Sequence, residues 1–325
     1  MDIVRLLGVD IGGTKCAVLY GVECEGELEI IDKMRFDTTR VEETISQILA
    51  TLRAMMSKHG LNRENVGAVG IICGGPLDSR AGVIMSPPNL PGWDDIPIVR
   101  LVEECVGVPA ALQNDANACA LAEYKYGAGR GSRNMVFMTF GTGLGAGIII
   151  DGRLYTGAND NAGELGHIRL APDGPIGYGK RGSFEGFCSG GGIRQLARQA
   201  VAEAYDRDET VPWCRREDIP LLNARIVAEA ANEGDTLARS IYERSAEYLG
   251  MGLSIVVDIL NPERIVIGSI YARNEDMMRP VMEAVMQREA LSEANRVCCV
   301  VPAALGEQVG DYAALSVASN SLILH

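Results

Sequence analysis

Short apolar runs broken by glycine recur along this chain. Leu6–Ile11 is apolar apart from Gly8 and Asp10, Gly12-Gly13-Thr14-Lys15 interrupts it, and Cys16–Tyr20 resumes it. Strand, glycine turn, strand is the pattern of a β-hairpin. Met135–Phe140, the glycine-rich stretch Gly141–Gly147 and Ile148–Ile150 repeat it. Two such copies suggest two related lobes. Between them, Ile45, Ile48, Leu49, Leu52 and Met56 have helical spacing within Thr39–His59, and Gly60 stops the pattern. Val66–Cys73 predicts a strand, followed by a turn at Gly74-Gly75-Pro76-Leu77-Asp78. An apolar run, Val106–Leu112, leads into Gln113-Asn114-Asp115-Ala116-Asn117, and an alanine-rich helical pattern runs on to Tyr126.

Pro172–Gly192 carries eight glycines and reads as loop. The region from 197 to 235 is helical and charged in pattern, and 236–257 predicts one long helix. Asn261-Pro262 breaks the chain before a strand, Arg264–Ile267, with a Gly268-Ser269 turn. Met277–Met286 and Gly310–Leu324 read as helices.

The candidate chemistry lies at the ends of these runs. Asp115 sits where a strand gives way to a helix, the edge at which open α/β sheets bind ligands. A carboxylate there can take a proton from a substrate hydroxyl. It can equally be a helix cap, since Asn and Asp are favoured there. The turns at Gly12–Thr14 and Gly141–Gly143 allow close approach of backbone N–H groups to an anion, or are plain hairpin turns. Asp10 is a carboxylate within an apolar run, which is costly unless it is paired or near a cation. Three prolines stiffen Ser86–Trp93, as suits either recognition or a structural crossover. His167, three residues after Glu164, is the one histidine in a motif-like setting, though a lone histidine more often makes a structural hydrogen bond. Neither a GxGxxG opening a helix nor a P-loop is present.

Composition narrows the choice. The 325 residues suggest two domains or one large one, with 47% hydrophobic and 22% charged residues. The net charge of −13 argues against a nucleic-acid surface. Nine cysteines without a CxxC spacing read as reduced, buried thiols of a cytoplasmic protein. The first residues show no signal-peptide layout, and no apolar run approaches the ~18 residues of a membrane span.

Six motifs occur in one order: Asp10–Lys15, Pro88–Trp93, Asn114–Asn117, Gly141–Gly145, Gly163–His167 and Asn261-Pro262. Together they resemble the ROK family of sugar kinases and sugar-responsive repressors, in the actin/hexokinase/Hsp70-like superfamily. The resemblance implies an α/β, two-lobed actin-like (ribonuclease H-like) ATPase fold with an active-site cleft between lobes. The lobes are expected at 1–118, joined by a returning C-terminal helix at 308–325, and at 119–307.

It further implies that Asp115 is the general base, and that Asn89, Asn114, Glu164, His167 and Glu185 hold sugar hydroxyls. Gly12, Gly13, Thr14 and Lys15, with Gly141, Thr142 and Gly143, would bind phosphates. Gly268 and Ser269 would lie at adenosine. Asp10 would stand near Mg²⁺, through water. The expected partners are ATP and a small-molecule sugar, with no nucleic acid and no membrane. Family members are often dimers, which raises a homodimer.

The chain departs from the family at its zinc motif, CxCGxxGCxE. Ile176, Tyr178 and Ser183 stand at the cysteine positions, while Glu185 remains. A structural zinc site needs four good ligands, so no zinc is expected. His167 is then available to sugar, and packing, with Tyr178 and Phe184 as candidates, would hold the loop. Gly74 stands where the family often has proline, and Ser269 replaces a usual glycine.

The leading expectation is an ATP-dependent hexose or N-acetylhexosamine kinase acting on the 6-hydroxyl. The alternatives are a DNA-binding repressor, for which the ten residues up to Asp10 leave no room, and a non-catalytic sugar-sensing protein of the same family.

Overall fold

A computed structural model describes residues 3–323, so the part of the last expected helix at Leu324 lies outside the described residues. The elements run β1 (Val4–Ile11), β2 (Lys15–Cys24), β3 (Glu27–Asp37), α1 (Val41–His59), β4 (Ala68–Cys73), β5 (Leu77–Asp78), β6 (Val83–Ile84), α2 (Ile98–Val106), β7 (Ala110–Asn114) and α3 (Asp115–Tyr126). Then follow β8 (Met135–Phe140), β9 (Leu144–Ile150), β10 (Arg153–Tyr155), β11 (Ile176–Gly177), β12 (Lys180–Arg181), α4 (Phe184–Phe187), α5 (Gly190–Asp206), α6 (Ala224–Asn232) and α7 (Thr236–Leu260). The chain ends with β13 (Arg264–Ile267), α8 (Ile270–Arg273), α9 (Glu275–Glu289), α10 (Ser292–Asn295), β14 (Cys299–Pro302) and α11 (Val309–Ser321).

Two five-stranded sheets share one plan. The first has the order β3-β2-β1-β4-β7 and the second β10-β9-β8-β13-β14. In the first, β2 runs antiparallel to both β1 and β3, while β4 and β7 continue parallel. In the second, β10 is antiparallel to β9, and β8, β13 and β14 are parallel. The repeated glycine hairpins thus open two sheets of equivalent topology. This is the mixed α/β, two-sheet class expected from the sequence.

The chain forms two compact units. One comprises 3–132, 147–162 and 304–323, and the other 133–146 and 163–303. The sequence reading placed the division at 118/119 and 307/308. Helix α3 groups with the first unit because its small residues, Ala116 to Ala122, are buried near α11, which also covers β1 and β4. Gly70 explains that closeness. A Cβ there would stand 1.9 Å from the Ala314 carbonyl oxygen, so only glycine lets α11 lie directly on the sheet.

Within the first unit the core is aliphatic and joins β1, β2, β4, α1 and α2 through residues such as Val9, Val18, Ile48, Leu52, Ile71 and Val102. Three elements differ from the pattern reading. The apolar run Val106–Leu112 is divided: Val106 ends α2, Gly107 caps it in the left-handed conformation, and β7 begins at Ala110. Strand β3 has no counterpart in the reading, because only Leu28 of its eleven residues is buried. The 172–192 stretch is not all loop: it holds β11, β12, α4 and the first turn of α5. All nine cysteines are free, but Cys299 is exposed and Cys24, Cys105 and Cys298 are half-buried, so burial is not general.

Candidate active site

In the first unit, Asp10 and Ile11 end β1 and the chain turns at Gly12-Gly13-Thr14. The Gly12 N–H donates to the Lys15 carbonyl at 3.1 Å and closes the turn. Thr38, just past β3, braces it from outside. Its Oγ1 donates to the Gly12 carbonyl at 2.6 Å, and its N–H donates to the Thr14 carbonyl at 2.9 Å. Thr14 and Lys15 remain exposed. A Cβ on Gly13 would lie 2.5 Å from the Asn89 carbonyl oxygen, so the close approach of this turn to the Asn89 loop requires glycine. Thr38 was missed in the sequence because its partner lies 26 residues away and no motif marks it.

The Asn89 loop is set by its neighbours. Leu90 and Trp93 are buried at 1% exposure, the Leu90 N–H bonds the Pro87 carbonyl, and Asn89 itself is left exposed. A Cβ on Gly74 would be 3.3 Å from Asn89 Oδ1, and one on Gly75 would be 3.3 Å from Asn114 Nδ2. The two carboxamides therefore flank the Gly74-Gly75 turn at the end of β4.

Asn114 is the N-cap of α3, and its Oδ1 accepts from Ala116 N at 2.9 Å and Asn117 N at 3.4 Å. Asp115 is the first helical residue and is exposed, with Oδ1 accepting the Ala116 N–H at 2.8 Å. Asn114 is thus the N-cap, and the Asp115 carboxylate beside it shares the Ala116 N–H while remaining exposed. Crowding by protein atoms raises the Asp115 pKa even though the residue keeps solvent access. Burial pushes the Asp10 carboxyl up to about 6; Asp311 and Asp115 add to this, while Lys33 and Arg35 oppose it. Lys33 and Asp311 form an ion pair.

In the second unit, the turn between β8 and β9 closes with Gly141 N to Gly143 O at 3.1 Å. The first amide of α5, Gly190 N, donates to the Gly141 carbonyl at 2.8 Å. Glu185 Oε2 accepts the Leu144 N–H at 3.0 Å and would stand 2.8 Å from a Cβ on Gly143. Glu185 therefore braces the glycine turn. Glu164 and His167 are exposed on the single 3₁₀ turn that ends at His167. That turn packs on the same group: a Cβ on Gly166 would be 2.5 Å from the Leu144 carbonyl and 3.3 Å from Glu185 Cβ.

Gly268 N donates to the Met138 carbonyl at 2.9 Å, and Ser269 Oγ lies 3.6 Å from where a Gly141 Cβ would be. Gly141, Gly143, Glu185, the Glu164–His167 turn and Ser269 are thus brought together in this unit. Gly12, Gly13, Asp10, Asn89, Asn114 and Asp115 are brought together in the other.

The loop at the family's zinc position is held by ordinary interactions. Gln195 on α5 bonds both backbone groups of Ile176, accepting from its N–H at 2.9 Å and donating to its carbonyl at 2.8 Å. Ser183 caps α4 by accepting from Gly186 N at 3.0 Å. Phe184 is fully buried, with its ring against Gly252 of α7. Tyr178 is 76% exposed, so it does not hold the loop by packing; its ring and that of His167 lie T-shaped with 6.5 Å between centroids. Among the described residues, no group of three or more His, Cys, Asp or Glu is arranged to hold a metal ion.

Comparison with known proteins agrees with this arrangement. The ROK family model matches residues 6–320. The chain is 32% identical to a glucokinase of Halalkalibacterium halodurans over 85% of this chain and 84% of that one. A xylose repressor of Caldicellulosiruptor bescii is 26% identical over 90% of this chain and 72% of its own length. A ROK glucokinase of Streptomyces griseus, solved with glucose and AMPPNP, superposes with a TM-score of 0.73 at 29% identity, covering 97% of this chain and 99% of that one. With its family match over nearly the whole length and its two sheets of the actin-like plan, the chain belongs to the ROK family.

Proposed function

We propose that this protein is an ATP-dependent sugar kinase, which transfers the terminal phosphoryl group of ATP to the 6-hydroxyl of a hexose or N-acetylhexosamine. The observation that carries the reading is the division of labour at the head of α3. Asn114 caps the helix, and Asp115, which engages one oxygen with the Ala116 N–H, keeps an exposed carboxylate of raised pKa. A raised pKa brings the carboxylate nearer the range in which a general base works best.

Asp115 would accept the proton of the sugar hydroxyl as its oxygen bonds to phosphorus. Asn89, Asn114, Glu164, His167 and Glu185 would hold the remaining hydroxyls. The amides of Gly12–Thr14 and Gly141–Gly143, with the Lys15 ammonium, would cradle phosphate oxygens. Gly268-Ser269 would lie at adenosine.

Mg²⁺ fits the Asp10 environment. Asp10 has Asp311 and Asp115 near enough to raise its pKa, and Mg²⁺ is usually held by one or two carboxylates together with waters and phosphates. Asp10 would hold it through water, and the ion would neutralise phosphate charge during transfer. Zinc has no place in this account, because Gln195, Ser183 and Phe184 already fix the loop. The acidic chain offers no basic run for nucleic acid, and among the described residues no helix is long and apolar enough to cross a membrane.

ADP release from Mg-ATP across a panel of hexoses and N-acetylhexosamines tests the reading. Turnover on one or two sugars supports it and names the substrate. No turnover on any sugar, with a sugar-induced thermal shift still present, would make the protein a non-catalytic sugar sensor.

A further inference from the structure

Asp160 is a non-glycine residue held at φ 61°. That left-handed conformation is uncommon for a residue with a Cβ and costs free energy unless the surroundings hold it. Here both carboxylate oxygens are engaged by one residue 81 positions earlier: Oδ2 accepts Ser79 N–H and Oδ1 accepts Ser79 Oγ–H, each at 2.8 Å. Both residues are half-buried and both belong to the first unit.

The clamp joins two stretches of chain that matter. Ser79 lies in the turn between β5 and β6, where Asp78 Oδ1 accepts the N–H groups of Arg80 and Ala81. Strand β6 is tied to the segment beyond it, since Ile84 and Ile96 exchange backbone hydrogen bonds and Ser86 N bonds the Trp93 carbonyl. Those bonds close the loop that carries Asn89. At the other end, Asp160 sits in a loop closed by Ala162 N to Thr156 O at 3.1 Å, four residues before Glu164.

We propose that the Ser79–Asp160 clamp is a positioning device for sugar selection: it fixes the loop that runs into Glu164 and His167 against the hairpin that leads to Asn89. This rests on the reading of those three residues as sugar-holding groups. Neither Ser79 nor Asp160 touches the reacting atoms. Their effect passes through the residues they hold, so it falls on sugar affinity and discrimination more than on phosphoryl transfer.

Asp160→Gly separates the clamp from the strain. Glycine adopts φ 61° freely, so the variant keeps the backbone conformation while losing both hydrogen bonds. Ser79→Ala removes one of the two, and Asp160→Asn, whose amide tolerates the left-handed region, retains part of the hold. The experiment measures KM for sugar, KM for ATP, kcat and sugar preference, together with amide hydrogen exchange over 156–168.

For Asp160→Gly the expected result is a rise of roughly ten-fold in the sugar KM, smaller differences between sugars, and ATP KM and kcat within about two-fold, since the lost bonds loosen sugar-holding groups and leave the reacting groups in place. Asp160→Asn should fall between the unaltered protein and Asp160→Gly, and exchange in Asp160→Gly should quicken at 161–167. An unchanged sugar KM, an equal loss in kcat and ATP KM, or unchanged exchange would overturn the clamp. Absence of turnover in the unaltered protein would instead remove the kinase reading, and exchange would then decide the clamp on its own.

Discussion

The Oγ1 of Thr38 donates to the carbonyl oxygen of Gly12 at 2.6 Å, across the edge of the first sheet. It also lies 3.3 Å from Cys16 Sγ. One hydroxyl thus fixes the orientation of the peptide whose neighbours are proposed to face phosphate. Thr38→Val keeps the shape and removes the bond. The expected loss is about 1 kcal/mol of binding, roughly a five-fold rise in KM for ATP, with Thr38→Ser restoring most of it. An unchanged ATP KM in Thr38→Val would remove Thr38 from this role.

The sequence shows contiguous motifs and hides such bracing. Both glycine hairpins were readable because strand and turn residues are neighbours in the chain. Thr38 and Gln195 were not, since their partners lie 26 and 19 residues away. Strand β3 escaped because only Leu28 of its residues is buried, the rest being exposed or half-buried. The start of α5 escaped because Gly190-Gly191-Gly192 argues against a helix on propensity. Packing reverses that: a Cβ on Gly192 would lie 2.0 Å from the Gly186 carbonyl oxygen, so close approach selects the glycine and tertiary structure supplies the helix.

Asp10 couples stability to pH. Its carboxyl binds its proton more tightly when folded, about 6 against 3.8. At Asp10 the folded state therefore holds more of the proton between those values, so the contribution of this group to stability falls as pH rises from about 4 to 6. Asp10→Asn removes the charge that burial disfavours. Its melting temperature should exceed that of the unaltered protein at pH 7.5, and the difference should vanish near pH 4. A variant less stable at both pH values would contradict this.

Glu123 is fully buried on α3 and accepts three backbone N–H groups: Ala128 at 2.7 Å, Leu305 at 2.9 Å and Ala304 at 3.2 Å. Glu123→Ala would leave those donors unsatisfied, at a cost of roughly 3 kcal/mol or more in urea unfolding. Glu123→Gln should cost less, though it turns one acceptor into a donor facing N–H groups. A loss below about 1 kcal/mol for Glu123→Ala would show that water replaces the carboxylate.

Ser269 has φ 60° and ψ −116°, a conformation that suits glycine. Ser269→Gly should stabilise the fold by about 1 kcal/mol, offset in part by losing the 3.3 Å bond from Arg273 to Ser269 Oγ. Chemical unfolding checks the sign, and a clear destabilisation would show that the Arg273 contact outweighs the strain.

The central claim is that Asp115 removes the proton of the sugar hydroxyl. Its most direct test compares kcat with sugar affinity in Asp115→Asn, which keeps the size and the Ala116 N–H bond. A loss of roughly 10²–10⁴ in kcat is expected, with the sugar Kd within a few-fold of the unaltered protein. A kcat near that of the unaltered protein, in a variant that folds and binds sugar, would contradict it.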